Sequence, residues 1–183
     1  MCYCSMTAND LNSICDVNIL TKYPKKGDLL NYLNKLHHAL SVTTQEVSDR
    51  PKGLKSISKQ LVSSKLLAYN DKDVRLLTTC CIADILRVFA PEAPYNNEDT
   101  ILAFNAINTQ IRGLATYDSM ESILSSKVFY ILNSIATVQS CVVPVILAQS
   151  GVHGAADTVI SMFDAILSSI RTEHPEEGTS HCK

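Results

Sequence analysis

The most constraining feature of this chain is the stretch from Asp71 to Tyr95, DKDVRLLTTCCIADILRVFAPEAPY. It carries an acidic, cap-forming start, then apolar residues at helical spacing, then two prolines three positions apart. Asn70 or Asp71 suits the N-cap, and Asp71 and Asp73 suit the positive end of the helix dipole. Pro91 and Pro94 push Ala90 and Ala93 out of the helical region, so the helix must stop there. One long helix ending in a stiff corner is therefore fixed before anything else is read.

The same period runs along the rest of the chain, and strand alternation and hairpin turns are scarce. Leu29, Leu33, Leu36 and Leu40 form a stripe after Asp28, read as an N-cap. Leu54, Ile57, Leu61 and Ala68 form a second stripe, on a helix expected over 53–68. After Pro94 a helix is expected from Glu98 or Asp99, burying Ile101, Phe104, Ile107, Ile111 and Leu114. Asp118 and Glu121 resemble a capping box for a helix with Ile123, Val128, Ile131, Leu132 and Ile135. A short apolar piece follows over 142–148, then a loop at 151–154. A last helix near Asp157 carries Val159, Phe163, Ile166 and Ile170 on one side. The expected fold class is all-α, about seven helices, arranged as an α-solenoid or as a closed helical bundle. The expected organisation is a poorly ordered segment over 1–22, a helical domain over 23–172 and a frayed tail over 173–183.

Composition removes several function classes. Net charge is −2, so no global basic field argues for nucleic acid. The lysines at 22, 25, 26, 52, 55, 59 and 65 read as a solvated face. The seven cysteines are odd in number and lack zinc-site spacing, which points to buried free thiols in a reducing compartment. The N-terminus lacks the pattern of a signal peptide. Residues 128–149 carry no formal charge and are the one membrane candidate, but Asn133, Ser134, Thr137, Gln139, Ser140 and Pro144 interrupt them; a buried helix is the preferred reading. His37 and His38 point in different directions on one helix and read as surface or boundary residues, and His153 has no acid near it in sequence. No phosphate loop, nucleophile elbow or metalloprotease motif is present. The chain reads as a binding protein without catalytic residues, cofactor or metal.

The Ala90–Pro94 corner has two readings from chemistry alone. It is either a rigid elbow or a preordered ledge for a partner's short peptide, with Phe89 and Tyr95 supplying apolar contact and Glu92 free to pair a basic residue. The helix before it resembles the second helix of a HEAT repeat. Val74 would enter the seam between helices, Arg75 would reach an acidic group of a neighbouring repeat, and Leu77, Cys81, Ala83, Ile85 and Val88 would let layers approach.

The run KDVRLLTTCCIADILRVFAPEAPY, with LLNYLNKLHHAL upstream and ILAFNAINTQIRGL and VFYILNSIATV downstream, resembles the N-terminal part of the Pds5 family of HEAT-repeat cohesin regulators. The resemblance spans roughly residues 23–171. It implies a non-enzymatic regulator of sister-chromatid cohesion at nuclear chromatin, with cohesin and its release factor Wapl (and in animals sororin) as partners. The family's Ala-Pro-Asp/Glu-Ala-Pro element docks short partner motifs, and it is intact here as Ala90, Pro91, Glu92, Ala93 and Pro94. With Tyr95 these are the candidate partner-binding residues. Nothing here matches the family's main kleisin site or assigns an inositol-phosphate site. Family members are several times longer. A solenoid cut at this length is expected to expose the apolar stripe of its last helix. A generic helical-repeat adaptor and, less favoured, a membrane-associated helical protein are the alternatives.

Overall fold

The structure, a computed structural model, describes residues 14–15, 18–46, 50, 53–114 and 123–170. Among them are nine helices and no strand: α1 (Ile19–Lys22), α2 (Lys26–Ser41), α3 (Leu54–Leu61), α4 (Ser64–Leu67), α5 (Lys72–Phe89), α6 (Asn97–Gly113), α7 (Ile123–Thr137), α8 (Val142–Gln149) and α9 (Ala155–Ser169). Asp118 and Glu121 lie outside the described residues, as do Cys2, Cys4 and Cys182.

Helix α5 is the axle of the fold. It packs against α2, α3, α4, α6 and α7, while α6 carries α9 and α9 carries α8. Its start follows the sequence closely. Asp71 Oδ1 accepts from the amides of Asp73 at 3.1 Å and Val74 at 3.3 Å, and Asp71 Oδ2 lies 2.5 Å from Lys26 Nζ. The Lys26 ammonium, with those two amides, holds the Asp71 carboxyl below its ordinary range. Val74, Leu77, Cys81, Ala83, Ile85 and Val88 are all buried. Two buried threonines sit comfortably in this apolar helix because their hydroxyls donate back one turn, Thr78 to the Val74 carbonyl at 2.7 Å and Thr79 to that of Arg75 at 2.9 Å. Arg75 differs from expectation. Its guanidinium donates to the Tyr69 carbonyl at 2.5 Å and so closes the turn before its own helix instead of reaching an acid.

Helix α2 buries Leu29, Leu33, Leu36 and Leu40 completely. It begins earlier than read, with Lys25 at the N-cap and Asp28 within the first turn. The helix expected over 53–68 is broken at Val62 and Ser63. That break shifts the phase of the stripe: Leu66 becomes fully buried and Ala68 turns to solvent. The core also takes in Cys15 and Ile19, upstream of Tyr23.

Helix α6 starts one or two positions early, capped by Asn96, whose side chain accepts from the Asp99 amide at 2.7 Å. Phe104, Ile107 and Ile111 are fully buried. The uncharged region 128–149 is not one rod. Helix α7 buries Val128, Ile131 and Ile135 against the core, and α8 departs from it by 60°. Among the described residues no single helix is long and apolar enough to cross a membrane, although the bent α7–α8 pair is by length and composition. Pro144 falls in the first turn of α8, where its missing N–H costs nothing, and the break lies before it. Gly154 precedes α9 at φ 78°, a left-handed entry that disfavours any residue with a Cβ.

Candidate partner-docking corner

The end of α5 delivers the six candidate residues. Ala90 leaves the helix at φ −51° and ψ 143°, as a residue before proline should. The Ala90–Pro91 peptide is cis. The segment then turns at 90–91 and bends again before α6, so it is a folded corner. Pro91 and Glu92 are exposed, whereas Ala90, Ala93, Pro94 and Tyr95 are half-buried.

Two of the named contacts therefore change role. Tyr95 packs its ring on the core together with Ala93, and its hydroxyl is buried with no hydrogen-bond partner. Burial pushes its phenol well above the ordinary value, with the nearby Cys81 and Asp99 adding to the effect. Tyr95 is thus an anchor that holds the corner to α5. Phe89 is buried, with the Arg50 guanidinium 4.7 Å from its ring centroid. A cation over an aromatic face is attracted by the ring quadrupole.

The flank of the corner is built by arginines that sequence reading missed. Arg87, one turn before the corner, donates to the carbonyls of Leu40 at 2.6 Å and Thr43 at 3.0 Å, so it caps the C-terminal end of α2. Gln45 donates back to the Arg87 carbonyl at 3.1 Å, and Arg50 donates to the Gln45 carbonyl at 3.1 Å. The loop after α2 is thereby stitched to the end of α5. A cationic residue at the end of an apolar helix was the available signal, but its partners lie more than 40 positions away in sequence.

A second missed cluster lies deeper. Asp84 is fully buried in α5, His37 Nδ1 of α2 is 2.7 Å from its Oδ2, and the Tyr130 hydroxyl of α7 donates to its Oδ1. The His37 and Tyr130 rings meet edge to face at 4.8 Å. Burial first, and then the Asp84 carboxylate, push the Tyr130 phenol up. His37 is indeed a boundary residue, with 16% of its side chain exposed. Among the described residues burial holds the thiols neutral: it pushes both Cys15 and Cys80 up to about 12 and raises Cys81 and Cys141 as well. Among the described residues no three His, Cys, Asp or Glu side chains gather to hold a metal ion.

Comparison with known proteins decides what carries this corner. Residues 27–182 match the family model described as sister chromatid cohesion protein PDS5. This chain belongs to the Pds5 family. Pds5 homolog C of Arabidopsis thaliana is 32% identical over 148 residues, which is 80% of this chain and 16% of that protein. Homolog B-B of Xenopus laevis is 38% identical over 116 residues, 63% of this chain and 8% of that protein. Human homolog B is 42% identical over 86 residues, 46% of this chain and 6% of that protein. The chain thus spans a small fraction of the Pds5 relatives it matches. A solved Pds5 chain, from a Pds5–Scc1 complex, superposes with a TM-score of 0.64 at 27% identity, over 77% of this chain and 20% of that one. The all-helical architecture is therefore the Pds5 HEAT-repeat arrangement, not a closed bundle, and the Pds5 family is one of cohesion proteins, not of enzymes.

Proposed function

We propose that this chain acts in sister-chromatid cohesion at nuclear chromatin, as a non-catalytic docking unit for short peptide motifs of cohesin regulators such as the release factor Wapl. The helical unit over 23–172 carries the site. The docking residues are Ala90, Pro91, Glu92, Ala93, Pro94 and Tyr95, in two roles. Ala93 and Tyr95 fasten the corner to the core, and Pro91 and Glu92 face solvent. The observation that carries this reading is that combination: an exposed proline and carboxylate on a backbone already tied down on both sides. A partner strand meeting such a surface orders little of the receptor, so more of the contact energy appears as affinity. Glu92 contributes direction more than strength, since an exposed ion pair is worth about 0–1 kcal/mol. The link to the cohesin ring rests on kinship with the Pds5 chain that was solved in complex with Scc1.

The test is recovery of cohesin subunits and the release factor from nuclear extract on the immobilised 183-residue chain, read by immunoblot. Pro91→Ala with Glu92→Lys changes the two outward residues and leaves the core untouched. Recovery should fall several-fold while the helical circular dichroism of the chain is kept, and Glu92→Lys alone, which leaves Pro91 in place, should lower recovery in the same direction at the parental Tm. Equal recovery by the double variant would remove the corner from the function.

A further inference from the structure

Helices α2, α5 and α7 run in the same direction. Lys26 pairs with Asp71 at 2.5 Å, the Cys81 thiol lies 3.6 Å from the Leu33 carbonyl oxygen, and the Cys80 thiol lies 4.0 Å from that of Lys127. His37 and Tyr130 close α2 and α7 over Asp84 of α5. About two turns nearer their N-terminal ends, at ~3.6 residues per turn, α2 and α7 part and leave a groove of about 630 Å³. Leu76 and Leu77 of α5 form its floor, Leu30 one wall and Leu124 the other. Floor and both walls belong to described helices packed on one another, so this is a groove inside the array and not a face at its end.

The rim is cationic. Lys72 and Lys127 both line the groove, and among the described residues neither is in an ion pair. Elsewhere the cations have partners: Lys26 holds Asp71, and Arg75, Arg87 and Arg112 donate to protein oxygens. Lys127 is half-buried, and a partly desolvated ammonium gains more from an incoming carboxylate than an exposed one does. Asp73 also lines the groove, but the Lys26 ammonium lies near enough for Asp73 to help hold its proton.

The two cations bracket the apolar floor. Lys72 lies a turn before the floor leucines, and Lys127 lies beside Cys80, about a turn after them. Eight residues of α5 separate those levels, about 12 Å at ~1.5 Å per residue. An extended peptide covers that distance in about four residues at ~3.3 Å each. One small carboxylate cannot reach both lysines, whereas two acidic residues with apolar residues between them can. We infer that this groove docks a short acidic segment of a partner protein, with an apolar side chain such as leucine seated between Leu30 and Leu124 and flanking carboxylates on Lys72 and Lys127. The apolar seat supplies affinity, and the lysines supply charge preference and register. The groove lies about 20 Å along α5 from the Ala90–Pro94 corner, counted from Leu77 at ~1.5 Å per residue, and stands without the docking role of that corner.

The test is a set of nitrogen–proton amide spectra of the labelled 183-residue chain, titrated at millimolar concentration with acetyl-Asp-Leu-Leu-Glu-amide. Shifts should saturate and centre on Leu30, Leu76, Leu77 and Leu124. The peptides Asp-Ala-Ala-Glu and Lys-Leu-Leu-Lys, blocked in the same way, should bind several-fold more weakly. Lys127→Gln alone should weaken the acidic peptide several-fold, and Lys72→Glu with Lys127→Glu should turn the preference toward Lys-Leu-Leu-Lys while the helical spectrum is kept. Pro91→Ala with Glu92→Lys should leave this binding at the parental strength, which separates the groove from the corner. The inference is overturned if the acidic peptide moves none of the groove residues, or if the basic peptide moves them equally. Octanoate binding there as strongly as the peptide would overturn it too, and would assign the groove to a lone amphiphilic carboxylate.

Discussion

His37 Nδ1 lies 2.7 Å from the buried Asp84 Oδ2, across 47 residues of sequence and between α2 and α5. Tyr130 of α7 donates to the other oxygen, so one carboxylate joins three helices. A carboxylate without exposure is tolerated only when both oxygens are engaged. Asp84→Ala removes the acceptor and strands two donors. It should cost about 3–5 kcal/mol, whereas Asp84→Asn, which keeps one acceptor oxygen, should cost about 1–3 kcal/mol. Urea unfolding at constant m-value measures both. A loss below about 1 kcal/mol for the alanine variant would show that the cluster contributes nothing structural.

Much of this molecule is legible in its sequence because its helices obey local rules. Asp71 caps α5, apolar residues recur at 3.6, and Pro91 ends the helix; each is settled within four residues of chain. The errors fall where non-local packing decides. The break at Val62 and Ser63 moved Leu66 into the core and Ala68 out, and no local residue demanded it. Asp84 reads as an ordinary polar position in a helix; only the approach of His37 and Tyr130 makes it central. The six candidate residues of the corner were evident as one string, but which of them face outward was not. Tyr95 looks like a contact residue in sequence and is an anchor in the fold. Periodicity left solenoid and bundle open; the match to a solved Pds5 chain closed the question.

Gly53 marks a close approach of two segments. A Cβ there would lie 2.5 Å from the Cys15 carbonyl oxygen and 2.9 Å from its carbon, and backbone atoms cannot swing aside. Gly53→Ala should therefore destabilise by about 1–3 kcal/mol through overpacking. Gly27 is the internal control. It lies in α2 with nothing within 4 Å of its would-be Cβ. Gly27→Ala should stabilise by about 0.5–1 kcal/mol, because alanine loses less backbone entropy on entering a helix. Thermal melts of the two variants should shift in opposite directions. A neutral Gly53→Ala would mean that the segment around Cys15 does not rest on the start of α3.

Alkali should unfold this protein earlier than its carboxylates would suggest. Burial holds Cys15 and Cys80 neutral up to about 12, against an ordinary thiol value of 9.0, and it also raises Cys81. Between those limits the unfolded chain has released protons that the folded chain retains. The native state binds more protons, so stability falls as pH rises. The contribution is fully present below about pH 9 and is lost progressively toward pH 12. Two thiols together remove up to roughly 2.7 kcal/mol per pH unit across that window, at 1.36 kcal/mol per group. Cys81 and the buried phenols of Tyr32 and Tyr95 act in the same direction. Urea midpoints should stay level from pH 7 to 8.5 and drop steeply above pH 9.5. Cys80→Ala should flatten that slope by about one fifth to one third while lowering stability at pH 7 through lost packing. A slope unchanged by Cys80→Ala would place the titrating groups elsewhere and contradict the burial of this thiol beneath α7.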